Sequence, residues 1–120
     1  AITPSERLWA IVDGNFSPES LKPEFFRLWF ESLEDRRLTY IVLILEKRMR
    51  STLIHALKQL GCGKEASGIA YDIMNMYDGF WALASVEPSL TRGTVLLLIA
   101  DYVKDVVPAF DLGVIASLRQ

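Results

Sequence analysis

The sequence predicts an all-α fold, a bundle of about five helices. Apolar residues recur at intervals of three and four, as on one face of a helix. No segment alternates apolar and polar residues between turns, as a half-buried strand would. Helix start and stop signals recur along the chain. The 120 residues are 51% hydrophobic and 23% charged, a composition that can bury a single core and excludes disorder.

The N-terminal part of the chain predicts two short helices. Thr3-Pro4-Ser5-Glu6 fits a capping box, so the first helix is expected to begin at Pro4 and to end near Gly14. A second helix is expected over residues 23–33, which begin with a proline. Three aromatic residues of that segment share one helical face: Phe26, Trp29 and Phe30.

A long helix is predicted from about residue 35 to residue 60. Its apolar stripe runs the whole length, and lysine and arginine residues occupy the opposite side. Gly61 is expected to end it as a left-handed cap, followed by a turn at Cys62 and Gly63.

Two further helices are predicted, over residues 64–86 and 89–107. The first carries a stripe of small or polar residues, and the second is apolar nearly all round from Val95 to Val103. Because one protomer cannot cover both sides of such a helix, we expect a homodimer in which the last two helices of each copy form a four-helix bundle. The residues expected at its interface are Gly68, Asn75, Gly79, Ala82, Val95, Leu97 and Val103. The helical domain is expected to span residues 1–108, and residues 109–120 form a tail of unknown placement.

Composition excludes several classes of protein. The net charge of −2 and the isoelectric point of about 5.4 provide no general basic surface for nucleic acid. With one cysteine (Cys62) and one histidine (His55), neither an intrachain disulfide nor a zinc cluster is available. No catalytic motif is present, so we predict neither an enzyme nor a cofactor nor a metal. No membrane-spanning segment or secretory signal is found, and a cytoplasmic protein is expected.

Aromatic and methionine side chains on inward faces suggest a ligand pocket. A filled aromatic core is the alternative. If Asp78 faces the pocket, a cationic or amine ligand is favoured; if it faces the dimer seam, a neutral apolar ligand is favoured. An arginine partner for Asp78 is also open. The candidate ligand-binding residues are Phe26, Trp29, Phe30, Met49, Thr52, Met74, Tyr77, Asp78 and Trp81, with His55 and Asn75 as further polar candidates.

Several segments resemble the C-terminal domains of TetR-family transcriptional regulators of the betaine-regulator (BetI) type. Residues 77–81 (YDGFW) are similar to the group's Ile-Asp-Gly-Leu-Trp motif, with tyrosine in place of isoleucine and without the basic residue that often follows the tryptophan. The other matching segments are ERL at 6–8, AIV at 10–12, GNF at 14–16, FRLW at 26–29, RM at 48–49 and STL at 51–53.

The resemblance implies the effector-binding and dimerisation domain of a bacterial transcriptional repressor. Its partners would be a second copy of itself and a small organic effector, either cationic or apolar. DNA would be bound only through an N-terminal helix-turn-helix domain that this chain lacks, and effector binding would control it allosterically. Ala1 at the start, in place of methionine, predicts a fragment or a processed chain. A free-standing helical protein–protein adaptor is the alternative.

Overall fold

A computed structural model of the 120-residue chain describes residues 2–15, 31, 34–84 and 86–118. These residues form five α-helices and no strand, which confirms the all-α prediction. None of the helices in these ranges is both long and apolar enough to cross a membrane. Apart from residue 31, the helix expected over residues 23–33, with Phe26, Trp29 and Phe30, lies outside the described residues. The helices are α1 (Pro4–Asn15), α2 (Arg36–Gln59), α3 (Ala66–Ala84), α4 (Arg92–Val106) and α5 (Gly113–Leu118).

Helix α1 begins at the predicted capping box. The backbone N–H of Glu6 donates to Thr3 Oγ1 at 3.1 Å, and the backbone N–H of Thr3 donates to Glu6 Oε1 at 3.3 Å. The two side chains thus satisfy N–H groups that have no partner within the helix. Pro4, as the first helical residue, loses no hydrogen bond there.

Helix α2 has defined caps at both ends. Asp35 Oδ1 accepts from the backbone N–H of Arg37 at 2.9 Å. At the other end Gly61 has φ +89°, and the backbone N–H of Cys62 donates to the carbonyl of Leu57 at 3.1 Å while that of Gly61 donates to Lys58 at 3.0 Å. This pair of bonds is the Schellman motif, so the prediction for Gly61 is confirmed.

Helices α3 and α4 begin later than predicted. A 3₁₀ turn over Gly63–Glu65 precedes α3, which begins at Ala66. Thr91, and not Ser89, caps α4: its hydroxyl accepts from the backbone N–H of Thr94 at 3.2 Å. The Ser89 hydroxyl instead donates to Glu87 Oε1 at 2.7 Å and so belongs to the preceding turn.

One hydrophobic core joins all five helices. Helix α2 packs against α1 and α3, and α3 packs against α4. The core contains fully buried residues from each of the four longer helices, with Leu8, Leu57, Ile73 and Ile99 among them.

Two residues expected at the dimer interface lie instead in this core. Val95 and Val103 are both 0% exposed within a single chain. They cannot contact a partner without opening the protomer, so their assignment was wrong. The apolar circumference of α4 is covered on this side by the chain itself, whereas Leu97 and Leu98 on the other side remain 46% and 43% exposed.

Residues 109–118 lie against α1. The rings of Phe110 and Trp9 are 6.1 Å apart between centroids, and Val114 and Ile115 are buried in the core. The sequence left this segment unplaced.

Candidate functional site

Two carboxylates and two aromatic side chains mark a site between α2 and α3. Tyr77 and Trp81 are one turn apart on α3, and Trp81 is buried while Tyr77 is half-buried. Asp78 lies between them in sequence. The charge of Glu46, on α2, acts on both Tyr77 and Asp78. The site is therefore acidic and aromatic, and Met49 and Met74 pack in the adjoining core. We call Glu46, Tyr77, Asp78 and Trp81 the α2–α3 site.

The electrostatics of this site disfavour its own negative charges. Partial burial, followed by the charge of Glu46, raises the pKa of Asp78 to about 6, although the residue is exposed. Burial and the charges of Asp78 and Glu46 raise the pKa of Tyr77 to about 12. The charges of Glu46 and Asp78 repel each other, and a positive group placed between the two would relieve that repulsion.

A separate open cavity runs along α2. It has a volume of about 500 Å³, and its described lining is Ile44, Lys47, Arg48, Ser51 and Thr52. These residues lie on the side of α2 opposite the core residues Leu53 and Leu57. Of the candidate ligand-binding residues that are described, the lining includes Thr52 alone, and its hydroxyl already donates to the Arg48 carbonyl at 2.8 Å. The two cations would suit an anion better than an amine.

Helices α3 and α4 each expose residues on the side away from the core. Tyr102 Oη donates to Asp72 Oδ2 at 2.6 Å and links the two helices; burial and this bond raise the pKa of Tyr102 to about 12. A Cβ built on Gly68 or Gly79 meets no atom within 4 Å. We call the exposed residues Gly68, Asn75 and Gly79 of α3, together with Leu97 and Leu98 of α4, the α3–α4 face.

The candidate residues divide between these surfaces. Tyr77, Asp78 and Trp81 belong to the α2–α3 site, with Met49 and Met74 beside it. Gly68, Asn75, Gly79 and Leu97 lie on the α3–α4 face, and Ala82 is half-buried at its end. His55 is exposed on α2.

Glu46 was not among the candidate residues. The available signal was that Glu46 precedes Met49 by three residues, which places both on one face of α2. Arg50, on the next turn, lies over the ring of Tyr71 at 4.8 Å from the centroid, and so pairs α2 with α3 by a cation–π contact.

Comparison with known proteins gives one consistent result. The family model described as "BetI-type transcriptional repressor, C-terminal" matches residues 4–108. The HTH-type transcriptional regulator BetI of Vibrio parahaemolyticus is 28% identical over 102 residues, which cover 81% of this chain and 51% of the relative. The BetI regulator of Brucella anthropi is 32% identical over 111 residues, covering 84% and 55%. That of Brucella abortus is 29% identical over 110 residues, covering 86% and 54%.

The chain thus spans about half the length of these curated relatives. No solved structure is significantly similar to it. The family and the named relatives are transcriptional regulators and not enzymes, in agreement with the sequence prediction. With the family model matching most of the chain and the described residues forming an all-α fold, the chain belongs to the family of C-terminal domains of BetI-type transcriptional repressors.

Proposed function

We propose that this domain forms a homodimer, binds a small cationic effector at the α2–α3 site, and thereby controls DNA binding by a domain that precedes it. The observation that carries the choice of a cation is that the charge of Glu46 acts on Asp78 and on Tyr77, one turn before the buried Trp81. Aromatic faces attract cations through their quadrupole, and the two carboxylates supply the charge. Family membership supports a regulator over a free-standing adaptor.

The unfavourable electrostatics of the unliganded site support the choice of a cationic effector. With its pKa at about 6, Asp78 is ionised at neutral pH against both burial and the charge of Glu46. A bound ammonium would stabilise the ionised form of Asp78 and of Glu46 together. A neutral apolar effector would leave that repulsion in place, so the site favours a cation.

The α3–α4 face supports the dimer. Leu97 and Leu98 expose apolar surface on α4, and Gly68, Asn75 and Gly79 leave the backbone of α3 accessible. Small residues let two helices approach closely, and packing this face on its own symmetry copy would bury it. We expect more than about 1,200 Å² of total surface to be buried.

DNA binding is assigned to a preceding domain. The chain carries a net charge of −2, and it spans only about half the length of its relatives. The effector would bind more tightly to one conformation of the dimer than to another. The two conformations would differ in the spacing of the two DNA-binding domains. In a gel shift, we expect residues 1–120 alone to show no sequence-selective binding and the longer protein to show it. Selective binding by residues 1–120 would contradict the assignment.

Effector class is tested by calorimetric or thermal-shift titration. The probes are quaternary ammonium and primary amine compounds, each paired with an uncharged alcohol of the same shape. We expect only cations to stabilise the domain, by about 2.7 kcal/mol at 100 times Kd. Asp78→Asn should remove the effect, and Glu65→Gln, which changes an exposed glutamate outside the α2–α3 site, should leave it intact. Stabilisation by the alcohols and not by the cations would overturn the proposal.

A further inference from the structure

Residues 109–118 lie beyond the part of the chain that the family model matches, yet they complete the burial of α1. Phe110 is 1% exposed, and its ring lies 6.1 Å from that of Trp9 at an interplanar angle of 49°. The backbone N–H of Asp111 donates to Ser5 Oγ at 3.0 Å. Ser5 is 4% exposed, so this bond gives a buried hydroxyl a partner.

The segment is held in place at its own start. Lys104 Nζ, near the end of α4, donates to the carbonyl of Pro108 at 2.9 Å and to that of Phe110 at 3.0 Å. Asp111 Oδ1 accepts from the backbone N–H of Gly113 at 2.9 Å and so starts α5. The turn after α4 therefore positions Phe110 against α1.

Different partners hold the other sides of α1. Arg7 Nη1 donates to Gln59 Oε1 of α2 at 2.7 Å. At the far end of the helix, Arg92 forms an ion pair with Asp13. The contacts of Trp9 and Ser5 with residues 109–118 thus secure the first half of α1 on a side that Arg7 does not reach, and the ion pair of Asp13 lies farther along the helix.

We propose that residues 109–118 are a strap that fixes the first half of α1 and so sets the direction in which the preceding chain enters the domain. The consequence for DNA binding rests on the proposed function, because only there does a DNA-binding domain join the chain ahead of α1. The strap would then help to fix the spacing of the two DNA-binding domains in the dimer.

Hydrogen exchange tests the strap without DNA or effector. We compare the chain with Phe110→Ala and Lys104→Met, using Leu112→Ala, at an exposed position within the strap, as the control. We expect exchange of the α1 amides to accelerate by about tenfold or more while those of α2 and α3 stay within about twofold. An equal acceleration in every helix, or no change in α1 for either variant, would overturn the strap. If Phe110→Ala does not fold, Lys104→Met decides alone, since it removes the tie to the turn and not a core side chain.

The same variants in the longer protein test the consequence. Operator affinity should fall by about tenfold or more for Phe110→Ala with the dimer intact, and stay unchanged for Leu112→Ala. If α1 exchanges faster but operator affinity is unchanged, the strap does fix α1 but does not influence DNA binding. No operator binding by the unaltered longer protein would contradict the proposed function instead.

Discussion

Replacing Asp78 with asparagine should stabilise the domain at neutral pH. The pKa of Asp78 rises from an ordinary 3.8 to about 6, and each pKa unit corresponds to about 1.4 kcal/mol between the two protonation states. The full shift would be worth about 3 kcal/mol, but Asp78 is exposed and solvent screens such interactions strongly. We therefore expect Asp78→Asn to raise the free energy of unfolding by about 1 kcal/mol at pH 7.

The pH dependence carries the sign of this effect. Because the folded pKa is above the unfolded one, the folded state binds more protons between about pH 4 and pH 6, and stability falls as pH rises through that window. Urea denaturation at pH 4, 5, 6 and 7 should show the two proteins converging at pH 4 and separating toward pH 7. When Glu46→Gln is added to both proteins, the difference between their free energies of unfolding at pH 7 should become smaller. The added change removes the repulsion between Glu46 and Asp78 but leaves the effect of burial on Asp78.

Glu65→Gln is the control, because Glu65 is exposed outside the α2–α3 site. A difference between the Asp78→Asn and unaltered proteins that is the same at every pH would refute the electrostatic reasoning. So would a loss of stability at pH 7, which would mean that the carboxylate holds a stabilising contact. The predicted result would show that ionised Asp78 destabilises the folded domain. Such destabilising groups are typical of binding sites, where function and stability conflict.

Three further changes have defined outcomes. Leu97→Glu should convert the dimer to monomer in light scattering at micromolar concentration, because it places a charge in the α3–α4 face; Leu43→Glu, at an exposed leucine on α2, should not. Gly61→Ala should lower the free energy of unfolding by about 1 kcal/mol in urea, since alanine is strained at φ +89°; an unchanged midpoint would contradict this. Arg92→Met should cost about 0.5 to 1 kcal/mol through loss of its partly exposed ion pair with Asp13, and the cost should shrink in 1 M salt if charge is its cause.

Local signals were the most informative part of the sequence. The capping box at Thr3 and the left-handed cap at Gly61 each depend on residues within one turn of a helix end, so their chemistry is readable from neighbours alone. The start of α4 was placed too early, at residue 89, and Ser89 and Thr91 are both capping residues by type. Only the structure distinguishes them, since the Ser89 hydroxyl bonds to Glu87.

Features that depend on distant contacts were missed. A helix that is apolar all round has no periodicity, so the inward Val95 and Val103 could not be separated from the outward Leu97. The packing of Phe110 on Trp9 joins the two ends of the chain. Similarly, the charge of Glu46 acts on Asp78 only because α2 and α3 pack side by side, which no spacing within either helix reveals.

Sedimentation equilibrium on residues 1–120, across a range of micromolar concentrations, tests most directly whether this domain unites two copies of a repressor. The account predicts a mass near twice 13.6 kDa for the unaltered chain and near 13.6 kDa for Leu97→Glu. A single-chain mass for the unaltered protein, or a dimer that Leu97→Glu leaves intact, would contradict the assignment of the α3–α4 face as the dimer interface.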